Sequence, residues 1–226
     1  KKMALFRHIT ITIIISLIII ISFPVLLPLP LAAKTIKDQL GRTVTLPSAP
    51  QRLISLAPNI TEIVFALGQG HLLKGATTYS DFPAEALSLP KIGSYVNLNL
   101  EKIVALRPDL CIAIKDGNPL ALVQRLEDLN VPLYAVNPTN LESVMHTVLE
   151  IGTLLNAQDK ANQLVQDMSL KLQSLKALVK KAAHRPKVFF QIGTSPIVSV
   201  GTDTFIHELI VLAGGSNIAA GSATYP

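Results

Sequence analysis

The sequence predicts an α/β protein with two lobes that are joined by a long helical connector. Short apolar strands alternate with amphipathic helices after residue 50, which is typical of βαβ units and a largely parallel sheet. A long helical pattern then interrupts the alternation, which restarts after His184. We therefore expect a first lobe, a connector and a second lobe at residues 34–137, 138–184 and 185–226.

Four strands and three helices make up the predicted first lobe. The strands are expected at 52–56, 72–76, 109–114 and 131–136, and the helices at 60–67, 98–106 and 119–129. Asn59 or Thr61 could cap the first helix, and Gly68 ends it. Cys111, the single cysteine, lies in the third strand. We expect it to be a buried small hydrophobe.

The predicted connector holds helices at 141–155 and 158–183. The second of these has an apolar stripe at steps of three and four residues, formed by Ala161, Leu164, Val165, Met168, Leu172, Leu175 and Val179.

The predicted second lobe has strands at 187–191 and 197–200, with a turn at 193–196. A helix at 204–213 follows, capped by Thr202 or Asp203. Only 42 residues follow His184, too few for an independent lobe with its own core. The second lobe is therefore expected to be truncated.

The N-terminus predicts export. Lys1, Lys2 and Arg7 flank the start of an apolar run over 9–31, and Ala32 and Ala33 follow it. Positive charge, an apolar stretch and small residues at its end are typical of a signal peptide. We expect residues 1–33 to be either this peptide or an uncleaved membrane anchor. Both alternatives place the rest of the chain outside the cytoplasm.

Charge and motifs exclude several classes of function. The chain has 20 basic and 15 acidic residues, and without Lys1, Lys2 and Arg7 the balance is 17 to 15. That balance does not indicate nucleic-acid binding. The H-E-x-x-H, G-x-S-x-G, P-loop and G-x-G-x-x-G motifs are absent. We expect no catalytic residues and no metal site.

Two minor alternatives to this expectation stay open. An extracytoplasmic enzyme could use an acid such as Asp81. A metal or haem carrier could use His71 or His207 as a ligand.

Several strings together indicate a family. They occur in this order: Arg52-Leu-Ile-Ser-Leu-Ala-Pro-Asn-Ile-Thr-Glu-Ile, Phe65-Ala-Leu-Gly, Thr78-Tyr-Ser-Asp-Phe-Pro, Gly93-Ser-Tyr-Val-Asn, Asn99-Leu-Glu-Lys-Ile-Val-Ala-Leu-Arg-Pro-Asp-Leu, Val188-Phe-Phe-Gln-Ile-Gly, Ser199-Val-Gly-Thr-Asp-Thr-Phe-Ile and Ala213-Gly-Gly-Ser-Asn-Ile. The chain resembles the iron-complex/cobalamin class of periplasmic binding proteins, and its cobalamin-binding members most. The resemblance implies two Rossmann-like lobes on one long helix.

The same resemblance implies a function. It indicates a monomeric, non-catalytic, periplasmic protein that carries cobalamin as its transported ligand, with no cofactor of its own. The implied partners are an ABC permease and its ATPase complex. Any contact with the membrane would come through the permease or an uncleaved leader.

The resemblance also implies a ligand site in the cleft between the lobes. The matching positions are Pro58, Tyr79, Ser94, Tyr95, Lys115, Asp116 and Gly117 of the first lobe, and Pro196, Ile197, Val198 and Tyr225 of the second. Tyrosine suits such a cleft because it offers a flat apolar face and a polar tip. The chain has no tryptophan, and Tyr95 stands where the cobalamin-binding members have one. Haem or an iron-siderophore therefore stays open as the ligand.

Glu101 has a separate implied role. It matches a family glutamate on the outer surface of the first lobe that docks onto arginines of the permease. The alternative is an exposed acid that favours the positive end of a helix dipole.

Overall fold

The computed structural model describes residues 33–221 and 224–225. The predicted signal peptide or anchor lies outside these residues, apart from Ala33. The described chain begins with an antiparallel hairpin of β1 (Ala33–Lys37) and β2 (Thr43–Pro47). This hairpin was not predicted from the sequence. β1 and the start of β2 alternate exposed and half-buried side chains, and only the end of β2 is buried, so the strands lack the apolar run that marks the strands of the sheet.

A four-stranded parallel sheet lies at the centre of the first lobe, as predicted. It contains β3 (Leu53–Ser55), β4 (Leu73–Gly75), β7 (Leu110–Ile114) and β8 (Leu133–Val136), in the order β4-β3-β7-β8. A short antiparallel pair, β5 (Gly93–Ser94) and β6 (Asn97–Leu98), lies between β4 and β7 in the chain.

Helices cover both faces of this sheet, and each face has its own apolar core. On one face pack α1 (Pro58–Ala66), α4 (Leu141–Leu154) and the start of α5 (Gln158–Lys180). On the other face pack α2 (Leu100–Ala105) and α3 (Leu120–Asp128). Strand β7 shows why: Leu110 and Ile112 belong to the first core, whereas Cys111 and Ala113 belong to the second, since successive side chains point to opposite faces.

The burial predicted for Cys111 is confirmed. The side chain is 0% exposed, and burial, followed by the nearby charge of Asp109, raises the pKa of the thiol. A thiol held in its neutral form by burial is chemically inert, so Cys111 serves in packing.

The helix α1 begins earlier than predicted. Its N-cap is Ala57, and Pro58 occupies the first turn, where its missing N–H leaves no helical bond unmade. The prediction of Asn59 or Thr61 as the cap was wrong, because both residues lie inside the helix. Thr61 instead points its hydroxyl into the protein interior.

The connector contains the two predicted helices, α4 and α5. The apolar stripe of α5 is less covered than expected: Ala161 is buried, whereas Leu175 is exposed. Near the end of α5, Val179 lies against Gly214 of the second lobe. No helix among the described residues combines the length and the apolar character that crossing a membrane needs.

The second lobe has shorter strands than predicted. It contains β9 (Lys187–Val188), the hairpin β10 (Gly193–Thr194) and β11 (Ile197–Val198), helix α6 (Phe205–Leu212), and β12 (Ser216–Asn217), which pairs in parallel with β9. The strand predicted at 187–191 was wrong beyond Val188. The prediction of Thr202 or Asp203 as helix cap was also wrong, since Thr204 Oγ1 accepts the His207 N–H at 3.1 Å.

Candidate ligand-binding site

The carboxyl ends of β3, β4, β7 and β8 lie at one edge of the central sheet. Ligands of open α/β sheets bind at this edge. Helix α1 begins there at Pro58, which is half-buried. The loops that follow β4 and β7 hold most of the other residues predicted for the first lobe.

Tyr95 lies in the turn between β5 and β6 and is held from two sides. Its carbonyl oxygen accepts a hydrogen bond from Asn118 Nδ2 at 2.8 Å. Its ring lies against Gly117, so closely that a Cβ on Gly117 would meet Tyr95 Cε2 at 2.4 Å. The side chain is still 39% exposed. One side of the residue is therefore fixed to the protein, and another is exposed.

Tyr79 lies in the loop after β4 and is 64% exposed. Its neighbour Ser80 is buried and belongs to a chain of hydroxyl groups. Ser80 Oγ lies 2.8 Å from Thr77 Oγ1 and 3.0 Å from Thr61 Oγ1. Thr61 Oγ1 in turn lies 2.9 Å from Ser55 Oγ at the end of β3. These four buried hydroxyls fasten the base of the Tyr79 loop to the sheet.

The structure brings the Tyr79 and Tyr95 segments together. The Thr78 N–H donates to the Gly93 carbonyl oxygen at 2.8 Å, which joins the residue before Tyr79 to the start of the Tyr95 hairpin. Ser94 Oγ accepts the Asn97 N–H at 3.1 Å, so this hydroxyl supports the hairpin turn. The loops that carry the two tyrosines are therefore joined through the main chain at the sheet edge, and we call Tyr79 and Tyr95 the tyrosine wall.

The loop after β7 supplies the remaining first-lobe residues. Lys115 and Asp116 are exposed, and the Lys115 N–H bonds the Val136 carbonyl oxygen at 2.9 Å. The loop thus presents one positive and one negative side chain to solvent, next to Gly117, which meets the Tyr95 ring. Their role as ligand contacts stays a prediction.

The residues predicted for the second lobe lie in the β10–β11 hairpin and near the end of the described chain. Pro196 and Ile197 are exposed, Val198 is half-buried, and the three belong to the β10–β11 hairpin. Tyr225 is 64% exposed, and the residue before it accepts the Gly201 N–H. Their role as ligand contacts stays a prediction.

The structure has a pocket between the two lobes whose lining residues were not predicted. It has a volume of about 410 Å³ and is mainly apolar. Its described lining comes from α1, the end of β7, the loop before α4, α4 itself and α6, namely Asn59, Glu62, Ile63, Ile114, Pro138, Val144, Thr147 and Phe205. None of the predicted ligand contacts belongs to this lining. Among the described lining residues, Phe205 is the one that belongs to the second lobe.

Glu101 is exposed in the first turn of α2. The N-cap of this helix is Asn99, whose side chain accepts the Lys102 N–H at 2.9 Å. A carboxylate at this position favours the helix dipole, and its exposure leaves it accessible to a partner. The docking role stays a prediction.

The structure also shows the residues named for the alternative functions, an extracytoplasmic enzyme and a metal or haem carrier. Asp81 and His71 are exposed, whereas His207 is half-buried and its Nδ1 lies 3.1 Å from Asn217 Nδ2. Among the residues that the structure describes, no group of three histidine, cysteine or acidic side chains could hold a metal ion.

Neither Asn118 nor the buried hydroxyl chain was predicted from the sequence to support the site. Asn118 ends the turn Asp116-Gly117-Asn118 before Pro119, and such a string predicts a turn without predicting a partner. Its position in the loop that follows an apolar strand was the only available signal.

Comparisons with known proteins agree with this architecture. A family model described as "Periplasmic binding protein" matches residues 53–225. The chain belongs to the periplasmic binding protein family. A vitamin B12-binding protein of Yersinia pestis (strain Pestoides F) is 33% identical over 199 residues, covering 87% of this chain and 69% of the relative.

Solved structures of this family are similar to the chain. The vitamin B12-binding protein BtuF of Vibrio cholerae is 32% identical with a TM-score of 0.68, covering 80% of this chain and 71% of BtuF. The heme-binding protein RhuT from Roseiflexus sp. RS-1 is 27% identical with a TM-score of 0.72, covering 78% of this chain and 69% of RhuT. The family and its α/β fold are thus shown, and periplasmic solute binding is the role that the family implies.

Proposed function

We propose that this periplasmic binding protein is the non-catalytic carrier of an ABC importer, and that it captures cobalamin between its lobes. The observation that favours cobalamin is the 33% identity to a vitamin B12-binding protein over 87% of the chain. The same ligand is named for BtuF at 32% identity.

The tyrosine wall supports this ligand class. A corrin ring is broad, flat and mostly apolar, with polar groups at its periphery. Tyr79 and Tyr95 offer aromatic faces of this kind at the sheet edge. Lys115 and Asp116 lie beside them and could bond peripheral polar groups.

Haem is the second candidate. RhuT and a heme-binding protein of Pseudomonas aeruginosa are each 27% identical to the chain with a TM-score of 0.72. A tyrosine phenolate can ligate haem iron, and the Tyr79 side chain is 64% exposed. An iron-siderophore would use the same cleft.

Equilibrium dialysis separates these ligands. Cyanocobalamin and haemin absorb visible light, so each bound ligand can be counted without a label. We expect one cyanocobalamin to bind per chain with a micromolar or lower Kd. Saturable binding of haemin with none of cyanocobalamin would assign the protein to haem, and binding of neither would reject both assignments.

Tyr79→Ala and Tyr95→Ala test the tyrosine wall. Each change should weaken cyanocobalamin binding on the order of tenfold, because the lost aromatic contact is worth about 1–2 kcal/mol. Leu178→Ala is the control, since it truncates an exposed apolar side chain of α5 that is not among the predicted contacts.

We also propose that Glu101 docks onto a basic patch of the permease. Glu101→Ala should weaken binding to the permease complex in vesicles several-fold, and the loss should shrink at high salt because exposed charges are screened. Glu142→Ala removes another exposed first-turn glutamate, in α4, and should leave binding to the permease complex unchanged. Equal losses for both variants would contradict the assignment.

A further inference from the structure

Asn118 connects three separate segments at the edge of the sheet. Its Oδ1 accepts the Ile114 N–H at 2.8 Å, at the end of β7. Its Nδ2 donates to the Leu56 carbonyl oxygen at 2.8 Å, just after β3. The same nitrogen donates to the Tyr95 carbonyl oxygen, also at 2.8 Å. The two amide protons and the amide oxygen therefore all have partners.

The Asn118 side chain lies in the protein interior. Asn118 is 8% exposed, so its bonds are shielded from water. A buried amide without partners is costly, which makes the three bonds mutually dependent: a movement of Tyr95 would leave one Asn118 proton unpaired. The amide group therefore resists displacement of the hairpin turn.

The neighbouring residue fixes the ring of Tyr95. Gly117 has a φ of 132° and lies under the ring, with no room for a Cβ. Residues 117 and 118 thus hold the side chain and the main chain of the same tyrosine. The hairpin itself contributes little at this point, because its paired residues are only Gly93–Leu98 and Ser94–Asn97.

We infer that Asn118 is a positioning residue for ligand capture, acting through Tyr95. It keeps the β5–β6 turn attached to the ends of β3 and β7, so that the exposed face of Tyr95 is already oriented when a ligand arrives. Preorganisation of this kind raises affinity because less ordering is needed on binding. The effect on affinity rests on the proposed function, whereas the anchoring of the turn does not.

Asn217 offers a matched control in the second lobe. It is also buried, and its Nδ2 donates to the Val200 carbonyl oxygen at 2.7 Å. Its Oδ1 accepts the Ala219 N–H at 3.1 Å. Asn217→Ala therefore removes a comparable buried amide without touching the Tyr95 turn.

The first measurement needs no ligand. Amide hydrogen exchange of residues 93–98, followed by mass spectrometry, reports the opening of the turn. Asn118→Ala should speed this exchange on the order of tenfold, and Asn217→Ala should leave it unchanged. Equal exchange in wild type and Asn118→Ala would overturn the inference.

The second measurement uses cyanocobalamin, with haemin as the alternative probe. Asn118→Ala should weaken binding on the order of tenfold, and the effect should disappear in a Tyr95→Ala background. A loss that persists there would show that Asn118 acts otherwise and would overturn the role in capture. If wild type binds neither probe while exchange still responds, the proposed function fails and the anchoring of Tyr95 stands.

Discussion

Glu208 of α6 accepts the backbone N–H of Leu141, the first residue of α4, at 2.8 Å. The two residues are 67 positions apart, and this bond joins the second lobe to the connector beside the inter-lobe pocket. A carboxylate suits this place, because the first N–H groups of a helix lack helical partners and carry partial positive charge. Phe205, one turn earlier in α6, lines the pocket.

Removing this bond should destabilise the protein. Glu208→Ala is expected to lower the free energy of unfolding by about 2 kcal/mol, since a bond to a charged acceptor is lost. Urea denaturation measures the change. Glu142 lies in the first turn of α4 and is exposed. Glu142→Ala should lower the free energy of unfolding by at most about 1 kcal/mol. Equal costs would show that the Glu208 bond contributes nothing specific.

Gly117→Ala should disturb the Tyr95 side chain. The new Cβ would collide with the ring, and the positive φ adds backbone strain. We expect a loss of stability of more than about 2 kcal/mol, together with weaker cyanocobalamin binding. Gly41→Ala is the control, because Gly41 has a φ of 77° with open space around it, so strain acts there without a collision. Unchanged ligand affinity in Gly117→Ala would argue against a role for the Tyr95 ring position.

Thr61→Val should weaken the attachment of the Tyr79 loop. The change removes the central hydroxyl of the buried chain and leaves Ser55 and Ser80 without this partner. We expect a cost of about 1–3 kcal/mol in unfolding free energy. Thr35→Val alters an exposed hydroxyl pair on the β1–β2 hairpin and should cost less than about 0.5 kcal/mol. A similar small cost at both sites would contradict the importance of the chain.

Tyr134 should make stability depend on pH in the alkaline range. Burial, followed by the charge and hydrogen bond of Glu150, raises the pKa of its phenol. The unfolded chain, with a tyrosine pKa of about 10, then loses the proton first. Stability is therefore fully present below about pH 10 and falls as the pH rises further, by up to about 1.4 kcal/mol per pH unit.

Tyr134→Phe provides the comparison. Urea denaturation between about pH 8 and 11 should show a steeper loss for wild type than for the variant above about pH 10. The exposed Tyr79 and Tyr225 are present in both proteins, so any contribution from them cancels in the difference between the two stability curves. Parallel curves would mean that Tyr134 ionises as easily in the folded protein as in the unfolded chain.

The first lobe could be predicted well from the sequence because its strands are fully apolar. Residues 110–113 are all buried in the sheet, so composition and length identified the strand. The β1–β2 hairpin was missed because half of its side chains face solvent and resemble those of a loop. In the second lobe, Phe189 and Phe190 suggested a strand, yet both are exposed in an irregular segment.

The candidate site was predictable only in part. Family resemblance pointed to Tyr79 and Tyr95, whose loops are joined by the Thr78–Gly93 main-chain hydrogen bond. Their role as ligand contacts stays a prediction. Asn118 was not predictable, because its partner carbonyls at Leu56 and Tyr95 are 62 and 23 residues away in sequence. The inter-lobe pocket likewise depends on how α6 meets α4, a relationship that no local pattern encodes.

Isothermal titration calorimetry with cyanocobalamin tests the proposal that this protein holds a corrinoid between its lobes. We predict a saturating heat with one ligand per chain, a Kd of micromolar or lower, and a Kd on the order of tenfold weaker for Tyr95→Ala. A wild-type protein that unfolds cooperatively but gives no heat with cyanocobalamin would contradict the claim.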